Sequence, residues 1–255
     1  MKRLQSYILF ILLLLATVLP AHGHISRNMF MISNLNTDNG LSSSRVYSIV
    51  EAEDGAMWIS TKRWVDRYNG QLVSNYTLAT EMQYSDASGR KIKLTQDHYR
   101  QIYAYDNKGK VYIYNKVKDT FVLRCNLLNI LGGSIVLNEL LVDEKGNFWL
   151  AMDKGLYCLS ASADGKEIVR KKAKGRFILK DTYIHIQFVG QRLLIGTSKD
   201  VYCYSVATQK IAKKISGSSV VSSYHDVEGH HIWLGTFHEG VKVLTSSLKK
   251  YVFYN

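Results

Sequence analysis

The chain has 255 residues, 46% of them hydrophobic and 21% charged, which is apolar material enough for a substantial folded core and excludes a disordered chain. A single proline and an aromatic set of 17 Tyr, 8 Phe and 4 Trp favour pleated sheet surfaces over a helical bundle. The formal charge of +12 suits polyanionic partners: acidic polysaccharide, anionic lipid or nucleic acid.

Lys2 and Arg3 precede an apolar run from Tyr7 to Leu19 and the small-x-small tripeptide Ala21-His22-Gly23, the pattern of a secretory signal cleaved before His24. The run is shorter than the roughly 20 apolar residues of a spanning helix, and no cysteine follows it to carry a lipid. Residues 1–23 are therefore read as a cleavable signal peptide and the mature chain as periplasmic or exported. Loss of Lys2 and Arg3 lowers the charge from +12 to +10, and export removes nucleic acid from the expected partners.

Beyond the signal the sequence repeats itself. Trp58, Tyr103, Trp149, Leu194 and Trp233 stand at intervals of 45, 46, 45 and 39 residues, a period characteristic of propeller blades. Each sits in a similar short run: Met57-Trp58-Ile59-Ser60-Thr61, Phe148-Trp149-Leu150-Ala151-Met152, Leu193-Leu194-Ile195-Gly196-Thr197 and Ile232-Trp233-Leu234-Gly235-Thr236. About twelve residues earlier lie inner strands expected near Val46 to Val50, Lys91 to Gln96, Leu137 to Val142, Thr182 to Phe188 and Val221 to His225. Third strands start six or seven residues after each anchor, as in Val201-Tyr202-Cys203-Tyr204, and outer strands follow, as in Leu72 to Leu78 and Thr120 to Arg124. The expected fold is all-β: about five four-stranded blades, a partial propeller, at approximately 40–80, 86–125, 132–172, 177–215 and 216–255. Recurrence of the anchors at one phase assigns them to packing between adjacent blades rather than to ligand stacking.

Tight turns join inner strand to anchor strand at Asp54-Gly55, Asp143-Glu144-Lys145-Gly146 and Asp226-Val227-Glu228-Gly229, with Asp bonding the backbone and Gly supplying a positive φ. In the second blade Arg100 replaces the turn glycine. Basic clusters such as Lys116/Lys118 and Lys213-Lys214 fall where outer edges are expected, and edge lysines deter sheet-to-sheet aggregation. Of three cysteines, Cys125, Cys158 and Cys203, at least one stays unpaired; Cys158 and Cys203 share a phase and are read as small hydrophobes buried within their own blades. No Cys/His metal spacing, phosphate-binding glycine loop or hydrolase signature occurs, so no cofactor, metal or catalytic residue is expected; His225, His230 and His231 are read as a polar hairpin.

The stretch Gly40-Leu41-Ser42-Ser43-Ser44-Arg45-Val46-Tyr47-Ser48-Ile49, followed by Asp54-Gly55-Ala56-Met57-Trp58-Ile59-Ser60-Thr61, resembles the two-component-regulator propeller repeat. The whole is similar to the periplasmic sensor of Bacteroides-type hybrid two-component systems, strongly at blades one, three and five and weakly at two and four. The pattern departs where Thr61-Lys62-Arg63-Trp64-Val65 stands for the family's Thr-x-x-Gly-Leu. The resemblance implies a ligand-sensing domain, not an enzyme, that recognises a glycan-derived ligand. Kinase and regulator segments, with the membrane helix that would tie such a sensor to a bilayer, are expected only from a missing downstream part. A secreted carbohydrate-active propeller enzyme, and a scaffold or degenerate fragment, are the alternatives.

Propeller ligands usually sit over the axis, on the face built by loops that enter the inner strands and loops that join second strands to third. Those loops carry Arg45, Lys62 and Arg63 in blade one, Arg90 and Lys108 in blade two, Lys154 in blade three, Lys199 in blade four and His238 in blade five. The basic lining points to an acidic oligosaccharide as partner. Open blade edges would also favour self-association.

Overall fold

Alternation of apolar and polar residues every second position makes each run of the repeat a strand with one face toward either neighbouring blade. The computed structural model describes residues 34–78, 89–161, 168–169, 179–181, 184–217, 219–245 and 251–254. The chain divides into two units, Met1–Asn34 and Leu35–Asn255, and the second holds every element below.

Blade one comprises β1 (Val46–Glu51), β2 (Met57–Thr61), β3 (Val65–Tyr68) and β4 (Val73–Tyr76). Blade two comprises β5 (Ile92–Gln96), β6 (Ile102–Asp106), β7 (Lys110–Asn115) and β8 (Thr120–Asn126). Blade three comprises β9 (Leu137–Val142), β10 (Phe148–Met152), β11 (Gly155–Ala161) and the two-residue β12 (Ile168–Val169). Blade four comprises β13 (His185–Val189), β14 (Arg192–Gly196), β15 (Asp200–Ser205) and β16 (Lys210–Ser216). Blade five comprises β17 (Val220–Asp226), β18 (His231–Thr236), β19 (Val241–Thr245) and β20 (Tyr251–Tyr254). Each of the five sheets is an antiparallel meander in chain order, so the fold is a propeller of five four-stranded blades. Inner strands β1, β5, β9, β13 and β17 pack in sequence, and no comparable contact joins β17 to β1 among the described residues.

The anchors meet the next blade. Trp58 is 2% exposed and lies against Tyr114 and Phe121 of blade two, at ring-centroid distances of 4.6 and 5.6 Å. Tyr103 meets Phe148 edge-on at 6.0 Å, and Trp149 meets Tyr204 at 5.7 Å. Leu194 packs with Val220, Ile232 and Leu234 of blade five. Cys158 and Cys203 pair in register with Trp149 and Leu194 and therefore lie in the seams toward the next blade, not within their own as the sequence suggested. All three cysteines are free thiols, and burial pushes Cys125 up to about 11.

Two local features differ from the sequence reading. A five-residue helix, α1 (Leu127–Leu131), leads out of blade two, capped by the Asn126 side chain accepting from Leu128 N at 3.1 Å, and sinks Leu127 into the second seam. In the last inner turn it is His230, at φ 55°, that adopts the left-handed conformation, while Gly229 is needed for space beside the Asp226 carboxylate. Arg100 does take its glycine's part: at φ 59° its N–H bonds Asp97 O at 3.1 Å, as Gly55 bonds Ala52 O at 3.1 Å and Gly146 bonds Asp143 O at 2.9 Å. The turn aspartates work as expected; Asp143 accepts from Lys145 N, Asn147 N and Trp149 Nε1 at 2.9, 2.9 and 3.0 Å.

Candidate functional site

Antiparallel order places the segments entering the inner strands at the same end of each blade as the second-to-third-strand loops, and backbone bonds tie the two together. Lys62 N donates to Arg45 O at 2.9 Å, Asp153 N to Val136 O at 3.1 Å and Phe237 N to Ser219 O at 2.9 Å. Between blades, Leu137 N reaches Asn107 O at 2.9 Å and Val220 N reaches Thr197 O at 3.3 Å.

In blades one, two, four and five the loop is built by one side chain three residues after the anchor. Thr61 Oγ1 accepts from Trp64 N at 3.1 Å and donates to Trp64 O at 3.1 Å. Thr197 does the same with Asp200 N and O, both at 3.0 Å, and Thr236 bonds Glu239 N at 2.9 Å and Gly240 O at 2.8 Å. In blade two the Asp106 carboxylate replaces the hydroxyl, accepting from Lys108 N and Lys110 N at 3.1 and 2.9 Å. These turns hold the side chains at their tips on a prepared scaffold.

On this face a cleft of about 590 Å³ opens between blades three and four. Asp153 and Lys154 line it from the β10–β11 loop, Lys180 and Asp181 from the segment before β13, and Thr197, Ser198, Lys199, Asp200 and Tyr202 from blade four. Ser198 Oγ donates to Asp181 Oδ2 at 3.1 Å and Tyr202 OH to Asp200 Oδ2 at 3.2 Å. Lys214 Nζ sits 2.9 Å from Asp200 Oδ2 and 5.5 Å from the Tyr202 ring centre. Its hydrogen bond holds the Asp200 carboxyl below the usual carboxylate range and raises the Lys214 ammonium. The cleft offers Lys154, Lys180 and Lys199 with acceptors at Asp153 and Asp181.

Of the eight residues expected from sequence, Lys154 and Lys199 share this cleft, and the other six lie outside it. Lys154 Nζ also reaches Ser134 O at 3.4 Å. Arg45, Lys62 and Arg63 are exposed at blade one, with the Arg63 guanidinium 5.3 Å from the Trp64 ring centre. Arg90 bonds the buried Asp106 through Nε at 3.0 Å and is 3.4 Å from Tyr112 OH, so its guanidinium fastens the fold of blade two. Lys108 and His238 are exposed at their loop tips, His238 against the Phe237 ring at 4.5 Å. Sequence reasoning did not name Lys180 and Asp181, although it started the inner strand at Thr182. The signal for them was their place just before that strand, in the same class of loop that yielded Arg45 and Arg90.

A second cavity, about 210 Å³, opens by the first seam and is lined by Glu53, Asp54, Trp58, Arg67, Arg100, Tyr114 and Lys116. Its cations are already engaged: Arg67 with Asp54 at 2.5 Å, Lys116 with Glu53 at 3.9 Å and Arg100 with Gln96 Oε1 at 3.2 Å.

The segment that resembled a known repeat is matched directly. Residues 40–63 fit the family model of the two component regulator propeller. The chain carries a two component regulator propeller repeat. Its fold is similar to that of the extracellular domain of BT3049 from B. thetaiotaomicron, assigned to a hybrid two component system, with a TM-score of 0.64 and 17% identity over 88% of this chain and 31% of that one. The extracellular domain of BT4673 from the same organism, likewise assigned to a hybrid two component system, gives 0.62 and 18% over 84% of this chain and 30% of that one. The β-propeller domain of Cps50 (Swd1) from Myceliophteria thermophila gives 0.55 and 10% over 74% and 65%. The chain thus spans about a third of the length of the two Bacteroides domains. No curated protein matches it. Among the described residues no helix is long and apolar enough to cross a membrane.

Proposed function

We propose that this protein is an exported sensing propeller of a two-component signalling system, and that the cleft between blades three and four takes an acidic, glycan-derived oligosaccharide. The repeat at residues 40–63 and the fold shared with extracellular domains of such systems support the sensor reading. The signal-like residues 1–23 accord with a periplasmic address. A sensor works by binding, and needs no catalytic group of its own.

The observation that carries the ligand reading is the grouping of Lys154, Lys180 and Lys199 around one cleft. Its volume lies inside the range of about 300–1,000 Å³ usual for ligand pockets. Carboxylate or sulfate groups on a sugar would accept charge-assisted bonds from the ammonium groups, and Asp153 and Asp181 would accept from sugar hydroxyls. Tyr202 offers the apolar ring edge that a pyranose face covers. Calorimetric titration with size-matched neutral and acidic oligosaccharides tests this. The acidic ligands should bind more tightly, more weakly as salt rises, and about tenfold more weakly after Lys154→Ala or Lys199→Ala, the loss expected for a bond to a charged group. Equal affinity for both classes, or indifference to both substitutions in folded protein, would overturn the ligand reading.

A further inference from the structure

Each of the first four inner strands is stitched to the next blade by a polar side chain from one ladder position, the residue opposite anchor plus two. Ser48, opposite Ser60, accepts from Leu94 N of β5 at 2.8 Å. Lys93, opposite Tyr105, donates through Nζ to Asn138 O of β9 at 3.0 Å. Glu139, opposite Ala151, accepts from Ile186 N of β13 at 2.8 Å through Oε2. His185, opposite Gly196, meets Ser223 Oγ of β17 at 2.7 Å through Nε2. The first three stitches end on backbone groups, whereas the fourth ends on a hydroxyl.

The third and fourth stitches run into one another. The second carboxylate oxygen of Glu139, Oε1, sits 2.8 Å from His185 Nδ1. Glu139, His185 and Ser223 therefore form one line of hydrogen bonds across the inner strands of blades three, four and five: carboxylate, imidazole, hydroxyl. Joining β9 to β13 needs only the bond to Ile186 N, and the bonds through both ring nitrogens go beyond it. With its proton on Nδ1, toward the carboxylate, the imidazole keeps Nε2 as an acceptor. The Ser223 hydroxyl has that nitrogen on one side and Gln187 Oε1 on the other. The His185 and Glu139 side chains are 17% and 23% exposed, a burial that strengthens their bonds, and Ser223 is half-buried, open to a small molecule. Ser223 stands opposite Leu234, the ladder place from which Leu94 N and Ile186 N leave the inner edges of their sheets, so its own N–H points from that edge beside Oγ. The N–H of an attacking serine is one of the groups that receive the oxyanion in acyl transfer.

We infer that Ser223 is a nucleophile toward small carboxylic esters, with His185 as its base and Glu139 as the residue that positions the imidazole. Ser223 Oγ bonds to the ester carbon as its proton passes to His185 Nε2, and the Ser223 N–H faces the oxyanion. The bond from that carbon to the alcohol oxygen breaks, and the alcohol leaves with the proton from Nε2. Water then attacks the acyl group, giving a proton to Nε2; the carboxylic acid departs and the proton returns to Ser223 Oγ. Esters are the class because an alcohol leaves more readily than an amine. The activity is separate from the sensing reading, whose cleft none of these three residues lines, so either can fail without the other.

A fluorophosphonate, which phosphonylates activated serines, tests the assignment on the full chain, together with turnover of p-nitrophenyl acetate. Peptide masses should place the adduct on Ser223. Ser223→Ala should abolish labelling and turnover, and Ser222→Ala, at the exposed neighbour, should keep both. His185→Gln should slow labelling by about 100-fold or more. Glu139→Gln should lower kcat by about 100-fold or more with KM unchanged, since an amide admits the wrong imidazole tautomer; a residue that only joined strands would shift the melting temperature and leave that split unmoved. Circular dichroism shows which variants are folded, and labelling of the unsubstituted chain needs no variant. An unsubstituted chain that takes no label on Ser223 would overturn the inference, as would turnover that survives Ser223→Ala or labelling indifferent to His185→Gln in folded protein.

Discussion

The first and last seams occupy equivalent places in the propeller and are filled by different chemistry. Between blades one and two, Trp58, Tyr76, Tyr114 and Phe121 interlock with ring centroids 4.6–6.2 Å apart. Polar groups dress the rim: Arg67 lies 5.8 Å from the Trp58 ring centre and bonds Asp54, and Asp119 accepts from Tyr76 OH and Tyr114 OH at 2.9 and 2.6 Å. Between blades four and five, Leu194, Val201, Cys203, Val220, Ile232, Leu234 and Leu244 pack together with no buried aromatic ring among the described residues of the seam. Large rings hold the first pair of sheets together through area. In the last pair a Cβ on Gly196 would come within 2.8 Å of Val220 Cβ. Equivalent blade positions thus accept different residue types as long as the seam between the sheets is filled.

Truncation at the two anchors should break this comparison most visibly. Trp58→Ala removes the centre of the ring cluster and should cost about 3–5 kcal/mol, and Leu194→Ala about 2–5 kcal/mol. Urea unfolding reads both as lower midpoints, with Trp58→Ala the lower; equal midpoints would mean that area does not rank the seams. Gly196→Ala sharpens the contrast from the other side. Overpacking there should cost about 1–3 kcal/mol, although the φ of Gly196 is not in the left-handed region, whereas Gly55→Ala, with open space around it, suffers only from its φ of 76°.

The smallest effect is one of pH. Hydrogen bonds from the Ala56 N–H and Arg67 lower the Asp54 carboxyl, and those from Tyr114 and Tyr76 lower Asp119. A carboxyl lowered on folding adds stability that is fully present above its unfolded value of about 3.9 and is lost as pH falls through the folded value. Below about pH 4 the first seam should therefore loosen by less than about 1 kcal/mol, since both groups are exposed to solvent, with little change at the aliphatic seam. Tyrosine and tryptophan fluorescence followed against acid should report the first seam ahead of global unfolding.

The parts legible in sequence are those whose cause is local. Period-two alternation gave the strands, the 45-residue interval gave the blades, and Asp143 with Gly146 gave a turn whose hydrogen bonds lie within seven residues. Arg100 was visible as a glycine's replacement, and the structure shows it in the glycine's conformation. What could not be read depends on side chains from different blades or on how a residue is already spent. Arg90 stands on the expected face, but Asp106, sixteen residues later, claims its guanidinium. Lys154 and Lys199 come from blades 45 residues apart, and nothing local announces that they share a cleft. The stitches from Ser48, Lys93, Glu139 and His185 were equally hidden, since four different residue types do one task.

Those stitches also bear on how the chain acquires its structure. Each hairpin forms from residues fewer than twenty apart, and each of the four seams described needs only the preceding or following blade. Order can spread from any blade and can be lost one blade at a time from either end. Amide hydrogen exchange should accordingly be graded, with β9 and β10 of the central blade the slowest and β1 and β17 among the quickest to open.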